Sequence, residues 1–315
     1  MQKNVIEYLL RTAETYPQKI AVQDSVKEIT FAQLLEHAHI LASRVRQYGI
    51  MNSPVGVYIP KGCDAVTAFA ALSMSGNFYV PLDTKSPSSR VESIITVLDT
   101  PILITDSEHF TDLQKITDRP ILVIDNSYTK GVVVSHRGVI DYIDWAIETF
   151  HIDSTSVIGN QAPFYFDNST LDIYLMYATG ATLNIIPDTF FAFPAKLVEY
   201  LDEKKITFVF WVPFVLVNMA NFKILDSRKP QYLRDVFFAG EVMPNKHLNY
   251  WRRNMPECRY VNLYGPTEIT VDCTYYTVER EFNDDEPLPI GFPCKNSDVL
   301  ILNADFKPCV VNEQG

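Results

Sequence analysis

The spacing of apolar positions changes several times along this chain, and each change marks an element. Near the start, Ile6, Leu9, Leu10 and Ala13 fall on one face of a helix that stops before Pro17. Continuous apolar runs follow at Val55–Ile59, Tyr79–Leu82, Ile102–Thr105 and Ile121–Ile124, separated by helical spacing at Asp64–Met74, Ser88–Leu98 and Phe110–Ile116. Strands that are apolar throughout are buried on both faces, so this texture predicts an α/β fold with doubly wound, mainly parallel sheets. The texture resumes after Ser135. There it predicts helices at Val139–Thr149, Ser169–Tyr177, Ala195–Lys204 and Asn245–Asn254. Strands are expected at Leu183–Ile186, Phe208–Trp211, Asp235–Phe238 and Tyr260–Leu263. Two α/β halves are therefore expected, residues 1–130 and 131–273, joined near Asn126–Lys130. A β-rich stretch, 274–315, completes the chain.

Composition narrows the class. With 47% hydrophobic and 21% charged residues over 315 positions, the chain can bury a large core, which excludes disorder and collagen. A net charge of −11 argues against binding a phosphate backbone, since counterion release needs a basic face. A small anionic ligand in a local site stays compatible with it. The five cysteines are odd in number and never spaced C-x-x-C, which disfavours a disulfide framework or zinc cage and fits a reducing compartment. The charged opening is not a signal peptide, and the longest apolar run, Phe208–Val217, contains Pro213 and is shorter than the roughly 18 residues of a membrane span. A cytoplasmic, monomeric domain without nucleic-acid or membrane partners is expected.

Ligands of such sheets bind beyond the carboxyl ends of strands, so residues just after strands are the first candidates. Asn262-Leu263-Tyr264-Gly265-Pro266-Thr267-Glu268 follows an apolar strand. Gly-Pro forces a turn, Tyr264 offers a flat face to a base, Thr267 a hydroxyl to a phosphate, and Glu268 a hard oxygen to Mg²⁺. The plainer alternative is a surface turn with a helix cap at Thr267. Phe166-Asp167-Asn168-Ser169 precedes a helix, where Asp167 either caps it or holds a ligand ammonium. Phe238-Ala239-Gly240-Glu241 puts small residues at a strand end, where a flat ring can approach the backbone. Lys130-Gly131 before Val132-Val133-Val134 is placed to finish a phosphate loop, while His136 opens or caps the next helix. Signatures of Rossmann dinucleotide folds, P-loop NTPases, zincins and α/β-hydrolases are absent.

Together these strings resemble the amino-acid adenylation domains of nonribosomal peptide synthetases, within the adenylate-forming superfamily. Asn262–Glu268 resembles that family's adenine, phosphate and magnesium segment. Ile29–Leu34 is similar to its T-[YF]-x-[EQ]-L segment, Ser73–Asp83 to K-A-G-x-x-Y-V-P-[IL]-D, Phe166-Asp167 to its aromatic–aspartate pair, and Pro289–Pro293 to P-I-G-x-P. The order agrees over nearly the whole chain. WVPF at Trp211 and AGEVMP at Ala239 also resemble D-alanine–carrier protein ligases, although that branch commonly has cysteine where this chain has Ala239.

The resemblance implies the large N-terminal domain of an adenylate-forming enzyme with the start of a small β-barrel at 274–315. It implies ATP-dependent conversion of an amino acid to an aminoacyl-adenylate, release of pyrophosphate, and transfer to the phosphopantetheine thiol of a carrier protein. By position, Tyr264 would stack on adenine, Asn262 meet its edge, and Gly240 and Glu241 lie beside it. Thr267 would contact the α-phosphate, Glu268 would hold Mg²⁺, and Thr129 and Lys130 would flank the phosphates. Thr267 and Glu268 would be the catalytic pair. Asp167, beside Phe166, would bind the substrate ammonium. Asn168, Leu171, Phe210, Phe237, Ala239, Leu263, Val271 and Asp272 would line the rest of the pocket, filling enough of it to favour a small side chain such as alanine or serine. Asp272 would then bond a polar tip or face solvent.

Two departures accompany the likeness. The family's phosphate loop reads roughly Y-T-S-G-S-T-G-x-P-K-G, whereas Tyr128-Thr129 here runs directly into Lys130-Gly131. Its ribose-binding T-G-D, hinge and small C-terminal domain with the catalytic lysine have no counterpart in these residues. Weak adenylation by this chain alone is the expectation. The alternatives are a catalytically silent amino-acid- or nucleotide-binding or docking module, and an acyl- or aryl-CoA ligase of the same superfamily.

Overall fold

A computed structural model describes residues 4–106, 108–121, 134–303 and 307–309. Helix α1 (Ile6–Thr15) leads into an antiparallel hairpin, β1 (Ile20–Gln23) and β2 (Glu28–Thr30). Next come α2 (Phe31–Arg46), β3 (Pro54–Tyr58), α3 (Cys63–Met74), β4 (Phe78–Pro81), α4 (Ser88–Val97), β5 (Leu103–Thr105) and α5 (Phe110–Gln114). The string Ile29–Leu34 has a local reason to exist. Thr30 accepts from the Gln33 amide while the Gln33 side chain accepts from Thr30 N–H, a capping box that starts α2.

The chain continues through α6 (His136–Phe150), β6 (Val157–Asn160), α7 (Asn168–Thr179), β7 (Thr182–Ile185), α8 (Pro194–Glu203) and β8 (Phe208–Trp211). It ends through α9 (Pro213–Asn221), α10 (Ile224–Ser227), β9 (Asp235–Phe238), α11 (Asn245–Asn254), β10 (Arg259–Tyr264), β11 (Thr274–Thr277) and β12 (Phe292–Pro293). Expected and observed strands coincide at β8 and β9, and the expected helix Asn245–Asn254 is α11. Helix α6 begins three residues before the expected Val139 because the Ser135 hydroxyl accepts from Gly138 N–H and starts the helix there. Ile121 bridges to Leu103, whereas residues 122–124 of that expected strand lie outside the described residues.

Two sheets result. The smaller has the order β4-β3-β5, all parallel. The larger has nine strands in the order β12-β11-β10-β9-β8-β6-β7-β1-β2, parallel from β10 through β1 and antiparallel at both flanks. Sheet membership does not follow chain order. The early hairpin joins the larger sheet, Val22 pairing with Leu183 across 160 residues of sequence, whereas the next three strands form the smaller one.

Both faces of the larger sheet are buried, and the period of two sorts the side chains. Phe208, Phe210, Phe237, Val261 and Leu263 join the apolar cluster that includes α1, α3, α6 and α7. Val209, Trp211, Val236, Phe238 and Tyr260 join the cluster on the other face with α8, α9 and α11. Helix α3 bridges toward the larger sheet's helices: Phe69 stacks on Tyr79, whose hydroxyl lies 3.0 Å from that of Tyr174 on α7. Among the described residues, no helix is long and apolar enough to cross a membrane.

Candidate active site

The carboxyl ends of β6, β8, β9 and β10 stand side by side, and register decides what meets there. Asn160, Phe210, Phe237 and Val261 form one row across these strands on the face toward α6 and α7. Ala239 and Leu263 follow nearer the strand ends, and Leu171 of α7 packs in the same cluster. Phe210 and Phe237 are completely buried, with Phe237 in edge contact with Phe150 and Phe208. Leu171, Ala239, Leu263 and Val271 are buried too. These expected lining residues thus come together, as a tightly packed floor.

Strand β10 ends in the half-exposed ring of Tyr264, after which Gly265-Pro266 leads into a 3₁₀ turn, Thr267–Ile269. Gly265 is a packing necessity: a Cβ there would lie 2.5 Å from Asp272 Cα and 2.8 Å from Cys273 N. The loop folds back so that Cys273 N–H donates to Tyr264 O at 2.8 Å. On the way it passes two β-branched residues at positive φ, Thr270 at 73° and Val271 at 68°. Such conformations cost about 1–3 kcal/mol each and persist where surroundings enforce them. Their effect is to turn Val271 and Asp272 inward while Glu268 stays in solvent and Thr267 is half-buried.

Asp272 does not face solvent. It is 4% exposed, and the Tyr142 hydroxyl of α6 donates to its Oδ2 at 2.6 Å. Burial pushes its carboxyl up to about 7; the charge of Asp167 adds to this, and the Tyr142 hydrogen bond works against it. Burial likewise pushes the Tyr142 phenol well above its usual range, with Asp272 reinforcing it. Tyr142 is absent from the sequence-derived site. Its signal was the buried face of α6, where Val139, Tyr142, Ile143, Ala146 and Phe150 recur at helical spacing. A hydroxyl on such a face needs a partner.

Asp167 occupies the position before α7 but makes no side-chain capping bond. The turn is held instead by Thr170 N–H donating to Asp167 O at 2.8 Å and by Ser169 Oγ donating to Phe166 O at 2.8 Å. The Asp167 carboxylate is therefore not spent on the helix. Asn168, the first residue of α7, is half-buried. Phe166 stands apart from the floor: its ring is exposed and tilted against Tyr165.

At the end of β9, Gly240 adopts φ +89°, and a Cβ there would meet nothing within 4 Å. Open space therefore lies over bare backbone on the strand next to β10. Glu241 Oε2 accepts from Phe214 N–H at 3.1 Å, fastening this turn to the start of α9. Asn262 points to the opposite face, where its Nδ2 donates to Pro289 O at 2.9 Å, tying the Pro289–Pro293 turn to β10. Thr129 and Lys130 lie outside the described residues.

No group of three or more His, Cys, Asp or Glu among the described residues is arranged to hold a metal by itself. A cleft of about 700 Å³ opens elsewhere, lined by Arg252, Arg259, Tyr260 and Arg280. Its Arg253, Arg259 and Arg280 are engaged by Glu281, Asp235 and Glu286.

Comparison with known proteins identifies the family and the fold. The family model described as AMP-binding enzyme matches residues 9–128 and 127–315. The L-proline–[L-prolyl-carrier protein] ligase of Pseudomonas fluorescens is 28% identical over 361 aligned positions, covering 98% of this chain and 70% of the relative. A D-alanine–D-alanyl carrier protein ligase of Bacillus cytotoxicus is 29% identical, covering 99% and 68%. The dapdiamide synthesis protein DdaD of Enterobacter agglomerans is 30% identical, covering 96% and 54%. Among solved structures, the nonribosomal peptide synthetase FmoA3 superposes with a TM-score of 0.88 at 24% identity, covering 97% of this chain and 36% of that one. VinN superposes at 0.85 with 18% identity, covering 98% and 86%. The chain thus spans part of the length of each. On its fold and a family match over nearly its whole length, this chain belongs to the AMP-binding enzyme family, with the fold of the N-terminal domain of adenylate-forming enzymes.

Proposed function

We propose that this chain binds ATP and an amino acid and activates the amino-acid carboxylate as an aminoacyl-adenylate for a carrier-protein thiol. The observation that carries the reading is Asp167. It is a carboxylate at the first turn of α7, beside the closed apolar floor, with no capping bond to occupy it. Such a group pairs with a substrate ammonium by a charge-assisted hydrogen bond. Relatives named for L-proline and D-alanine carrier-protein ligation support the substrate class.

The residues present fit a nucleotide. Tyr264 offers an exposed ring for stacking, Gly240 leaves room for a flat base, and Asn262 keeps its Oδ1 for an adenine N–H, its Nδ2 being engaged. Thr267 reaches the α-phosphate from the turn after β10, with Thr129 and Lys130 assigned to the phosphates by resemblance. Mg²⁺ is commonly bound by one or two carboxylates plus substrate phosphates and water, so Glu268 suits it without a metal cage. When bound, the ion would neutralise phosphate charge during the transfer.

The chemistry asks for positioning more than for covalent catalysis. A carboxylate oxygen of the amino acid attacks the α-phosphorus, the bond to the leaving pyrophosphate breaks, and aminoacyl-adenylate forms. In the second step the phosphopantetheine sulfur attacks the aminoacyl carbon and AMP leaves. Asp167 holds the ammonium so that the carboxylate points toward Thr267 and Glu268. The buried, closely packed Leu171, Phe210 and Phe237 support a small substrate side chain.

The test is calorimetric titration with AMP, a non-hydrolysable alanyl-sulfamoyl adenosine, and its propionyl counterpart, which lacks the amine. The aminoacyl compound is expected to bind at least tenfold tighter than the propionyl one, and Asp167→Ala to erase that difference while leaving AMP binding in place. Equal binding of the two would favour an acyl-activating enzyme instead.

A further inference from the structure

The last two strands of the larger sheet meet at a pair of thiols. Their antiparallel register, Thr274 opposite Pro293 and Tyr275 opposite Phe292, sets Cys273 opposite Cys294 one position further on. Cys294 N–H donates to Cys273 O at 2.8 Å, so the ladder reaches that pair. Facing residues of this hydrogen-bonded kind hold their Cα atoms about 5.5 Å apart, within the span of a disulfide. Both thiols are free. Cys294 is buried in the apolar cluster that includes α6, Cys273 is half-buried, and the two thiols lie within electrostatic reach of each other. Cys63 and Cys258 are placed differently: Cys63 Sγ lies 3.8 Å from Val22 O and Cys258 Sγ 3.1 Å from Leu233 O, each buried against backbone.

The pair joins two segments that flank the end of β10. Cys273 closes the strained turn, its N–H donating to Tyr264 O at 2.8 Å. Cys294 follows the Pro289–Pro293 turn that Asn262 fastens to β10. That turn presses on β11, since a Cβ on Gly291 would lie 1.9 Å from Tyr275 O. Facing Cβ atoms in such a pair stand about 5.5 Å apart, and a relaxed bridge needs about 3.8 Å. Closing the bridge therefore draws the end of the strained turn toward β12. The strain so stored makes the bond easy to reduce again.

We propose that Cys273 and Cys294 are a thiol-oxidation site, closing to a cross-strand disulfide by exchange with a small-molecule disulfide of the glutathione class and thereby restraining the turn between β10 and β11. The inference goes beyond the amino-acid-activating reading and does not depend on it. Cys273, the more exposed thiol, gives up its proton and attacks one sulfur of the small disulfide. That S–S bond breaks, and one small thiol leaves with a proton. The Cys294 sulfur, losing its own proton, then attacks Cys273 Sγ and expels the second small thiol. Two protein thiols are oxidised and one small disulfide is reduced to two thiols. Burial raises both protein thiols above their usual range, with the charge of Asp272 adding to it, so exchange is slow and the reduced form is the resting one.

The test incubates the folded, reduced chain with glutathione disulfide and follows it by intact mass and non-reducing peptide mapping. The expected product has lost two hydrogens, retains no glutathione, joins Cys273 to Cys294 and is reopened by dithiothreitol. Amide hydrogen exchange across residues 265–273 should slow about tenfold or more in the closed form. Cys294→Ala should trap glutathione on Cys273, and Cys273→Ser should leave Cys294 unmodified, with melts under reducing conditions showing that both variants fold. If either does not fold, the peptide map of the parent chain decides. A chain that keeps both thiols, that holds glutathione on Cys273 without closing, or that bridges through another cysteine overturns the proposal. So does a closed form that exchanges at 265–273 as fast as the reduced one.

Discussion

Asp172 and Asp272 are both buried carboxyls beside the larger sheet, each with one oxygen hydrogen-bonded by a side chain, yet their electrostatic surroundings differ. Asp172, in the second turn of α7, lies over β6, where Asn160 Nδ2 donates to its Oδ2 at 2.8 Å. The charge of Lys61, from the loop after β3 of the smaller sheet, acts on it as well. That lysine spans the two sheets, donating to Gln161 O at 3.2 Å and pairing with Asp188 at 3.1 Å. Burial pushes the Asp172 carboxyl up to about 8, against the pull of Asn160 and Lys61. Asp272 has a phenol and a neighbouring carboxylate instead, and no cation acts on it among the described residues. Equal burial therefore means different things. A carboxyl opposed by a cation from another part of the fold serves packing, whereas the one facing another carboxylate is a candidate for a ligand contact.

The largest expected effect tests the packing side. Asp172→Ala removes the acceptor of the buried Asn160 amide and opens a small void, so urea denaturation should show a loss of about 3 kcal/mol. A loss under about 1 kcal/mol would mean that the junction does not depend on this carboxyl. Next is ligand linkage at the other region. A hundredfold excess over Kd of a matched aminoacyl-sulfamoyl adenosine should stabilise the chain by about 2.7 kcal/mol. Asp167→Ala, with Kd raised a hundredfold, should retain about 0.4 kcal/mol of that.

The pH dependence is smaller and distinguishes the two aspartates. Both carboxyls are raised above their unfolded value, so the folded state holds protons that the unfolded chain has lost. Their contribution to stability is complete below about pH 4 and disappears as pH rises through the folded pKa, at up to about 1.4 kcal/mol per pH unit for each group. The difference between parent and Asp272→Asn should stop changing near pH 7, and that between parent and Asp172→Asn near pH 8. Thermal melts from pH 5 to 9 check both end points; coincident curves would erase the contrast. The smallest effect is Tyr142→Phe, which should cost about 1 kcal/mol in the absence of ligand, as for one neutral hydrogen bond.

Legibility in the sequence followed local physics. Helix α11 and strands β8 and β9 were readable because their apolar spacing is unbroken and their flanks are polar or Pro-bearing. The central strand β6 was not. Its Gly159 and Asn160 break the apolar run, yet both are dictated by packing: a Cβ on Gly159 would lie 2.9 Å from Ile206, and Asn160 is the partner of Asp172. Tyr264, Gly265 and Thr267 were legible as an ordered string, because a strand end and a Gly-Pro turn together constrain geometry. Tyr142 was hidden because it enters from a helix 130 residues away, and nothing in its neighbours announces the contact.

The order of residues alone determined that the chain would form buried parallel strands covered by helices, and it made the loops after those strands, with Asp167 and the Asn262–Glu268 segment, the candidates for chemistry. These follow from periodicity, turn chemistry and motif, which act within a few residues. Tertiary structure decided the rest: that the early hairpin would close the larger sheet, that Asp167 would be left free of its helix, and that a strained turn would deliver Asp272 to Tyr142. Each of these depends on contacts between segments far apart in sequence, and the energy of such contacts has no local signature to read.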